Sequence, residues 1–324
     1  MRISLFGGGT DYREYYLKHG GSVIGTTIDK YVYVSINRLS NFFEYKIRVG
    51  YSRAELVNTV DDIIHPSVRE CLKFKNIDGN LDIHIFADLP ARTGLGSSSA
   101  FTVGFLNALY AMEGKVVSKD QLACDAHKVE QEMIRENVGS QDQVHAAYGG
   151  LNQITFNEHG ISVQPVVISR KKRDFLEQST MLFYTGQTRY ASDIVKEQVD
   201  KTRSRSNDSY LKNMSALVEE AIRCMSDSHD QQMLPELGKL LHESWKIKKS
   251  LASCVSTGLI DDVYERGMAA GAYGGKVAGA GGGGFVMFIV DPDRKDDVRR
   301  ALNGYLEVDF KFEDEGSKII YLKS

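Results

Sequence analysis

Apolar and polar positions alternate with a period of two in the first third of the chain and shift to a helical period afterwards. Phe43, Tyr45, Ile47, Val49 and Tyr51 alternate with other residues, the pattern of a strand with one buried face. Val32, Val34 and Ile36 repeat it just before, and Leu81, Ile83, Ile85, Ala87 and Leu89 make a later run that Pro90 stops. Beyond Pro90, the residues Phe101, Leu106, Leu109 and Met112 form a stripe at helical spacing. Ser118 and Gln121 make a capping box. It opens a helix with an apolar face of Leu122, Ala126, Val129 and Met133, expected to end at Gly139. A strand over Met181–Tyr184 and helical patterns near 209–226, 231–252 and 259–270 follow. A glycine-rich turn at 279–284 then leads into the apolar strand Phe285–Val290, and Val308–Phe312 and Ile319–Leu322 read as short strands. The polar, basic stretch Ser169–Asp174 is the expected boundary between an N-terminal part, 1–174, and a C-terminal part, 175–324. The pattern predicts an α+β architecture in two parts.

Composition narrows the classes. With 42% hydrophobic residues in 324, the chain can bury a proper core. A formal net charge of −3 argues against a nucleic-acid surface. Cys71, Cys124, Cys224 and Cys254 form no CxxC pair and read as free thiols of a reducing cytosol. Met1–Asp11 reaches glycine and aspartate too soon for a signal peptide, and no run of about 18 apolar residues marks a membrane span. The expected protein is cytoplasmic, with no nucleic-acid or membrane partner and an open oligomeric state.

Four stretches carry candidate chemistry. In Arg2-Ile-Ser-Leu-Phe-Gly-Gly-Gly-Thr-Asp-Tyr12, Gly7, Gly8 and Gly9 leave backbone bare for a ligand, and Thr10 and Asp11 suit sugar hydroxyls. A tight turn with Asp11 as its local cap fits equally well. In Pro90-Ala-Arg-Thr-Gly-Leu-Gly-Ser-Ser-Ser-Ala100 a strand ends, a loop (Gly94, Leu95, Gly96) follows, and a helix starts among Ser97, Ser98 and Ser99. That order aims backbone N–H groups and a helix N-terminus at one anion, though no Walker lysine follows. The plainer alternative is a serine N-cap. Lys276-Val-Ala-Gly-Ala-Gly-Gly-Gly-Gly284 matches GxGxxG as text, but a helix is expected before it and a strand after it. That order excludes a dinucleotide fold and leaves a mobile turn or a second phosphate-facing loop, centred on Gly281 and Gly282. Finally, Glu130 and Asp142, the latter in Gly139-Ser-Gln-Asp-Gln143, are candidates for metal ligand and general base.

In this order the stretches resemble the GHMP kinases, named for galactokinase, homoserine, mevalonate and phosphomevalonate kinases. The resemblance runs from Arg2 to Gly284. It implies an N-terminal domain like ribosomal protein S5 domain 2, a ferredoxin-like C-terminal domain, and a site between them for ATP and Mg²⁺. By motif position, Gly94–Ala100 resembles the loop around the ATP phosphates, Ser98 and Glu130 the Mg²⁺ ligands, Asp142 the catalytic aspartate, and Arg2 its neighbour. Galactokinases have Gly-Glu-His-Thr-Asp where this chain has Gly7-Gly8-Gly9-Thr10-Asp11, so the side chains that hold galactose are missing. The first motif, Gly139–Gln143 and Thr185-Gly-Gln-Thr-Arg189 are similar to the heptokinase branch. That branch implies a heptose 7-phosphate acceptor, with Arg189, Arg92 or Lys128 as candidates for its phosphate. A fucokinase-like relative is the nearest rival. Almost nothing precedes Arg2, where family members usually have a short strand.

The implied chemistry is phosphoryl transfer, which asks a protein for positioning and charge neutralisation. Two other classes compete. In a serine hydrolase, Ser98 would sit on a Gly-x-Ser-x-Ala elbow with His145 or His242 as base, but the alternating βα pattern is missing. A non-catalytic sugar sensor would have no need of Asp142, Ser98 and Glu130 together.

Overall fold

The computed structural model describes residues 1–188 and 191–323. Strands β1 (Arg2–Phe6) and β2 (Gly21–Ile28) flank helix α1 (Arg13–His19). Next come β3 (Val32–Arg38), β4 (Ile47–Gly50), β5 (Ala54–Val57), α2 (Pro66–Phe74) and β6 (Leu81–Ala87). Helices α3 (Ser97–Met112), α4 (Lys119–His127) and α5 (Gln141–Tyr148) precede β7 (Leu151–Asn157) and β8 (Gly160–Pro165). The rest comprises α6 (Arg170–Ser179), β9 (Thr180–Tyr184), α7 (Ala191–Arg203), α8 (Asp208–Asp227), α9 (Asp230–Leu251) and α10 (Gly258–Ala269). It continues through β10 (Ala272–Val277), β11 (Phe285–Val290), α11 (Lys295–Ala301), β12 (Leu306–Glu307) and β13 (Phe312–Glu313).

The strands make three sheets. The first runs β1-β2-β7-β8, with β13 also on β2; the second is β3-β6-β4-β5; the third is β10-β11-β9-β12. In chain order the third sheet's strands are first, second, third and fourth as β9, β10, β11 and β12, so across the sheet they read 4-1-3-2. With helices between the first two strands and α11 between the last two, this is the ferredoxin-like β-α-β-β-α-β arrangement, its first crossover enlarged to four helices. The α+β class and the ferredoxin-like second part therefore hold.

One apolar core joins the halves. Ile3, Leu5 and Ile24 of the first sheet pack with Val218 of α8, Leu237 of α9 and Met287 of β11. A second core lies between the first two sheets and α2–α5, and a third beneath the last sheet against α9 and α10. The polar stretch at 169–174 is helical, because Ser169 caps α6 by accepting from the Lys172 N–H.

Several expected boundaries move. The strand read over 43–51 exists only as β4, where Ile47 and Val49 are fully buried; Phe43 is half exposed and stacks on Tyr45 at 5.3 Å. Ser118 caps α4 by accepting from the Gln121 N–H, while the Gln121 side chain bonds Asp125 instead of closing the box; α4 then widens into a π-helical turn over Lys128–Ile134 and stops at Arg135, in left-handed backbone at φ 63, rather than at Gly139. A strand, β10, stands before the third glycine loop where a helix was expected, so the loop joins a hairpin. Its glycines hide the β signal for a packing reason. A Cβ on Gly274 would lie 1.8 Å from the Gly238 carbonyl oxygen, so α9 rests backbone to backbone on β10. A strand still follows the loop, so the exclusion of a dinucleotide fold stands. Residues 319–322 form no strand and are exposed.

The tail also belongs to the first sheet. Phe312 pairs with Ile28, its N–H bonds Glu177 at 2.6 Å, and its ring joins the shared core. Phe312→Ala should therefore destabilise the whole chain by about 3 kcal/mol, as removal of a buried phenyl ring does. Urea unfolding measures this, and an unchanged midpoint would show the tail to be dispensable.

Candidate active site

The site grows from the first strand. Arg2 begins β1 and is 5% exposed. Its Nε and Nη2 donate to the Asp142 carboxylate at 2.7 and 2.8 Å, and its Nη1 donates to the Gly94 carbonyl at 2.6 Å. A fork-to-fork pair of this kind fixes direction as well as distance. Asp142 lies in the first turn of α5 and keeps 26% of its side chain exposed, so one edge of the pair is open to solvent. Three segments far apart in sequence thus meet on one guanidinium.

The loop at 94–96 leads into α3. Gly96 is the N-cap residue in left-handed backbone at φ 70, and no side chain caps the helix. The serine-cap alternative therefore fails, and the first-turn N–H groups of a 16-residue helix face the loop without a built-in partner. Ser98 is exposed at this end, while Ser97 and Ser99 are buried. The third glycine loop lies against the second: a Cβ on Gly279 would sit 2.4 Å from the Gly94 Cα, and Gly94 itself has φ 86. Only bare backbone permits this approach. Gly282 N–H donates to the Val255 carbonyl at 2.8 Å, and Thr185 Oγ1 donates to the Gly284 carbonyl at 2.9 Å. The Thr185–Thr188 stretch thus buttresses the loop; Arg189 lies outside the described residues.

Glu130 sits on the π-helical turn and is 1% exposed. One oxygen accepts from Ser99 Oγ at 2.9 Å and from Gln143 Nε2; the other, Oε1, has no partner. Burial pushes its carboxyl up to about 7. A buried oxygen without a partner, next to a helix start that carries the exposed Ser98 hydroxyl, fits a hard cation such as Mg²⁺. That ion commonly takes one or two protein oxygens and completes its shell with water and phosphate. No described group of three His, Cys, Asp or Glu side chains forms a self-sufficient metal cage.

The first glycine loop is organised by its own end. Asp11 is buried; its Oδ1 accepts from Gly9 N–H at 2.9 Å and its Oδ2 from Gln141 Nε2 at 2.9 Å. Burial raises its pKa. Thr10 Oγ1 donates toward the Gly7 and Ser22 carbonyls at 2.8 and 2.9 Å and is fully buried. Both side chains point into the loop, matching the locally capped turn. The open position is Gly8, where an added Cβ would find Ser4 Oγ at 3.6 Å and Gln141 Nε2 at 3.8 Å.

Sequence reasoning missed the cations from the second half. Lys248 on α9 is 6% exposed and donates to the Gly279 carbonyl; Lys276 on β10 is 2% exposed and donates to the Leu5 carbonyl at 2.9 Å. Burial lowers Lys248 to about 8, helped by the Arg2 charge, and also holds Lys276 well below the usual lysine range. Lys276 opens the third glycine-rich stretch, where the sequence assigns it no role, Lys248 sits in no motif, and only the fold brings them here. The other cations considered for a phosphate have neighbours of their own. Lys128 lies over the Phe74 ring at 5.6 Å, and Arg92 acts on Glu136. The hydrolase arrangement is not formed. His145 is fully buried with neither ring nitrogen bonded, and burial drives its pKa down to about 3. His242 bonds the Tyr264 hydroxyl at 2.6 Å.

Comparison with known proteins agrees with this geometry. The family model for the GHMP kinases N terminal domain matches residues 59–150, and that for the GHMP kinases C terminal matches residues 213–308. A D-glycero-alpha-D-manno-heptose 7-phosphate kinase of Campylobacter jejuni is 30% identical over 98% of this chain and 96% of its own. An L-fucokinase/L-fucose-1-P guanylyltransferase of Bacteroides fragilis is 25% identical over 93% of this chain but only 35% of its own. Among solved structures, a D-glycero-D-manno-heptose 1-phosphate kinase from Bacteroides thetaiotaomicron superposes with a TM-score of 0.76 at 24% identity, covering 98% of this chain and 95% of that one. With both family models in order and a relative aligned end to end, this chain belongs to the GHMP kinases and is an ATP-dependent phosphotransferase with an alcohol acceptor.

Proposed function

We propose that the chain is a cytoplasmic sugar kinase of the heptokinase branch, phosphorylating the anomeric hydroxyl of D-glycero-D-manno-heptose 7-phosphate to the 1,7-bisphosphate. The product would feed nucleotide-activated heptose for surface polysaccharide. The observation that carries the reading is the end-to-end match to a heptose 7-phosphate kinase at 30% identity. The bare first loop supports it, because Gly8 leaves room beside Ser4 and Gln141 for a large acceptor. None of the described helices is long and apolar enough to cross a membrane.

The geometry supports the residue roles that the family resemblance implies. Residues 1–174 would supply most of the nucleotide and base machinery, and residues 175–324 the covering loop. The N–H groups of Gly94, Leu95, Gly96 and Ser97–Ser99 would hold the ATP phosphates, with Gly281 and Gly282 closing over them. Ser98 and the free oxygen of Glu130 would hold Mg²⁺, which when bound offsets the phosphate charge. Asp142, oriented by Arg2, would accept the proton of the sugar hydroxyl, whose anomeric position makes it more acidic than an ordinary alcohol. Gly8 and Gly9 would line the acceptor space, while Thr10 and Asp11 hold the loop in shape. Arg189, outside the described residues, is proposed for the 7-phosphate.

A panel of sugars and sugar phosphates, followed by ADP release and product NMR, tests the acceptor. Heptose 7-phosphate should be turned over best and give an anomeric phosphate. L-Fucose or free mannose as the much better substrate would replace the heptokinase reading with a fucokinase-like one.

Asp142→Asn should cut turnover by about 10²- to 10⁴-fold, the range for losing a general base, and leave ATP affinity within a few-fold. Near-normal turnover would remove Asp142 from the chemistry.

Ser98→Ala and Glu130→Gln should each raise the Mg²⁺ concentration needed for half-maximal rate. Glu130 also sets a stability test. Its folded pKa of about 7 exceeds its ordinary 4.5, so ionising it within the fold costs stability as pH rises between those values. In metal-free buffer at pH 8, Glu130→Gln should therefore unfold at the same temperature as the parent or higher. A clear loss of stability there, with an unchanged Mg²⁺ titration, would make Glu130 a purely structural acid.

A further inference from the structure

Arg2 is the one cation the sequence offers to the reacting groups, yet its three nitrogens already donate, two to Asp142 and one to the Gly94 carbonyl. Its charge is largely matched by the carboxylate it orients. Phosphoryl transfer still needs a cation for the group in transit. Lys248 stands where one is wanted. It projects from the last turn of α9, is buried, and its ammonium donates to the Gly279 carbonyl. Gly279 is the residue whose backbone abuts Gly94, so the ammonium lies at the seam of the two glycine loops.

Its surroundings are unbalanced. Among the described residues, Lys248 forms no ion pair, and its partner is a neutral carbonyl. It feels the charges of Arg2, Asp11 and Asp142. Lys276, equally buried, feels Lys248, Arg2 and Asp11. Arg2 and Asp142 pair with each other and Asp11 accepts from Gly9 and Gln141, so the buried Lys248 ammonium is left on a neutral carbonyl, and a buried charge without a counter-charge is expensive. An anionic ligand would restore the balance.

We infer that Lys248 binds the phosphoryl group during transfer, its ammonium donating to the non-bridging oxygens from the side of the third glycine loop. The inference rests on the kinase reading above and adds a catalytic residue to it. In the transfer, the acceptor oxygen forms a new bond to the γ-phosphorus and its proton passes to Asp142. The bond from that phosphorus to the β–γ bridging oxygen breaks, and ADP leaves with the electron pair. Lys248 keeps its proton throughout. The contact also gives the α9 half of the molecule a direct hold on the reacting group.

Calorimetry with ADP and with the non-hydrolysable analogue AMP-PNP, both with Mg²⁺, reads the contact without needing an acceptor. Lys248→Met should bind ADP like the parent but lose about tenfold or more of the affinity for AMP-PNP, the loss expected for one charge-assisted bond. Lys248→Gln, which keeps a neutral donor for the Gly279 carbonyl, should show the same loss, and Lys276→Met should not. In turnover assays kcat of Lys248→Met should fall by about 10²-fold while the acceptor KM moves less than about threefold. An AMP-PNP to ADP affinity ratio equal to the parent's in both Lys248 variants overturns the inference. So does a rise confined to the acceptor KM, which would put the ammonium on the sugar's own phosphate. If the parent turns over no sugar phosphate but its Lys248 variants lose AMP-PNP selectively, the acceptor reading fails and the Lys248 contact stands.

Discussion

The guanidinium of Arg2 is the point through which the catalytic geometry is fixed. It ties the start of β1 to the first turn of α5 and to the loop that opens α3, using three nitrogens on three oxygens. The pair is nearly dry on the arginine side, so removing either partner would leave an uncompensated charge inside the molecule. The glycines around it follow from that closeness. A side chain at Gly96 would press on Arg2 Cγ at 3.2 Å and on the Asp142 carboxylate at 3.4 Å. The loops are therefore bare because the ion pair and the phosphate-facing backbone share one small space.

The acidic residues divide the work by burial. Asp142 keeps an edge open to solvent and an opposite charge beside it. Glu130 is enclosed, with one oxygen satisfied by Ser99 and Gln143 and the other left open. Asp11, also enclosed, spends one oxygen on the turn that shapes the first loop and the other on Gln141 at the start of α5. Three carboxylates close in type thus sit in three different environments: paired with a guanidinium at an open edge, enclosed with one oxygen unpartnered, and enclosed with both oxygens hydrogen-bonded. Burial and partners, not residue identity, separate them.

Much of this was legible in the chain before any coordinates. Arg2, Asp142 and the second and third glycine loops stand out as motifs in the sequence, and the fold brings them together. The Ser118 cap and the helices near 209–226, 231–252 and 259–270 carry strong local signals, and they form. What could not be read is what depends on contacts distant in sequence. β10 is hidden by glycines required by α9, and α7 has too mixed a pattern to stand out. Lys248 looks like any basic residue near a helix end until the fold carries it to Gly279. Thr10 and Asp11 have the right chemistry for a sugar, and only their hydrogen bonds show them turned toward the backbone.

The placement of β13 has a consequence for how the molecule is made. Phe312 and Glu313 add to β2, and the Glu313 carbonyl accepts from Thr27 Oγ1 at 2.6 Å. The first sheet also shares its core with α8, α9 and β11. β1 and β2 emerge from the ribosome well before any of these partners. During synthesis the half that carries the catalytic aspartate must wait with an apolar sheet face uncovered, a natural substrate for chaperones. That face is covered only when α8, α9, β11 and β13 emerge and dock.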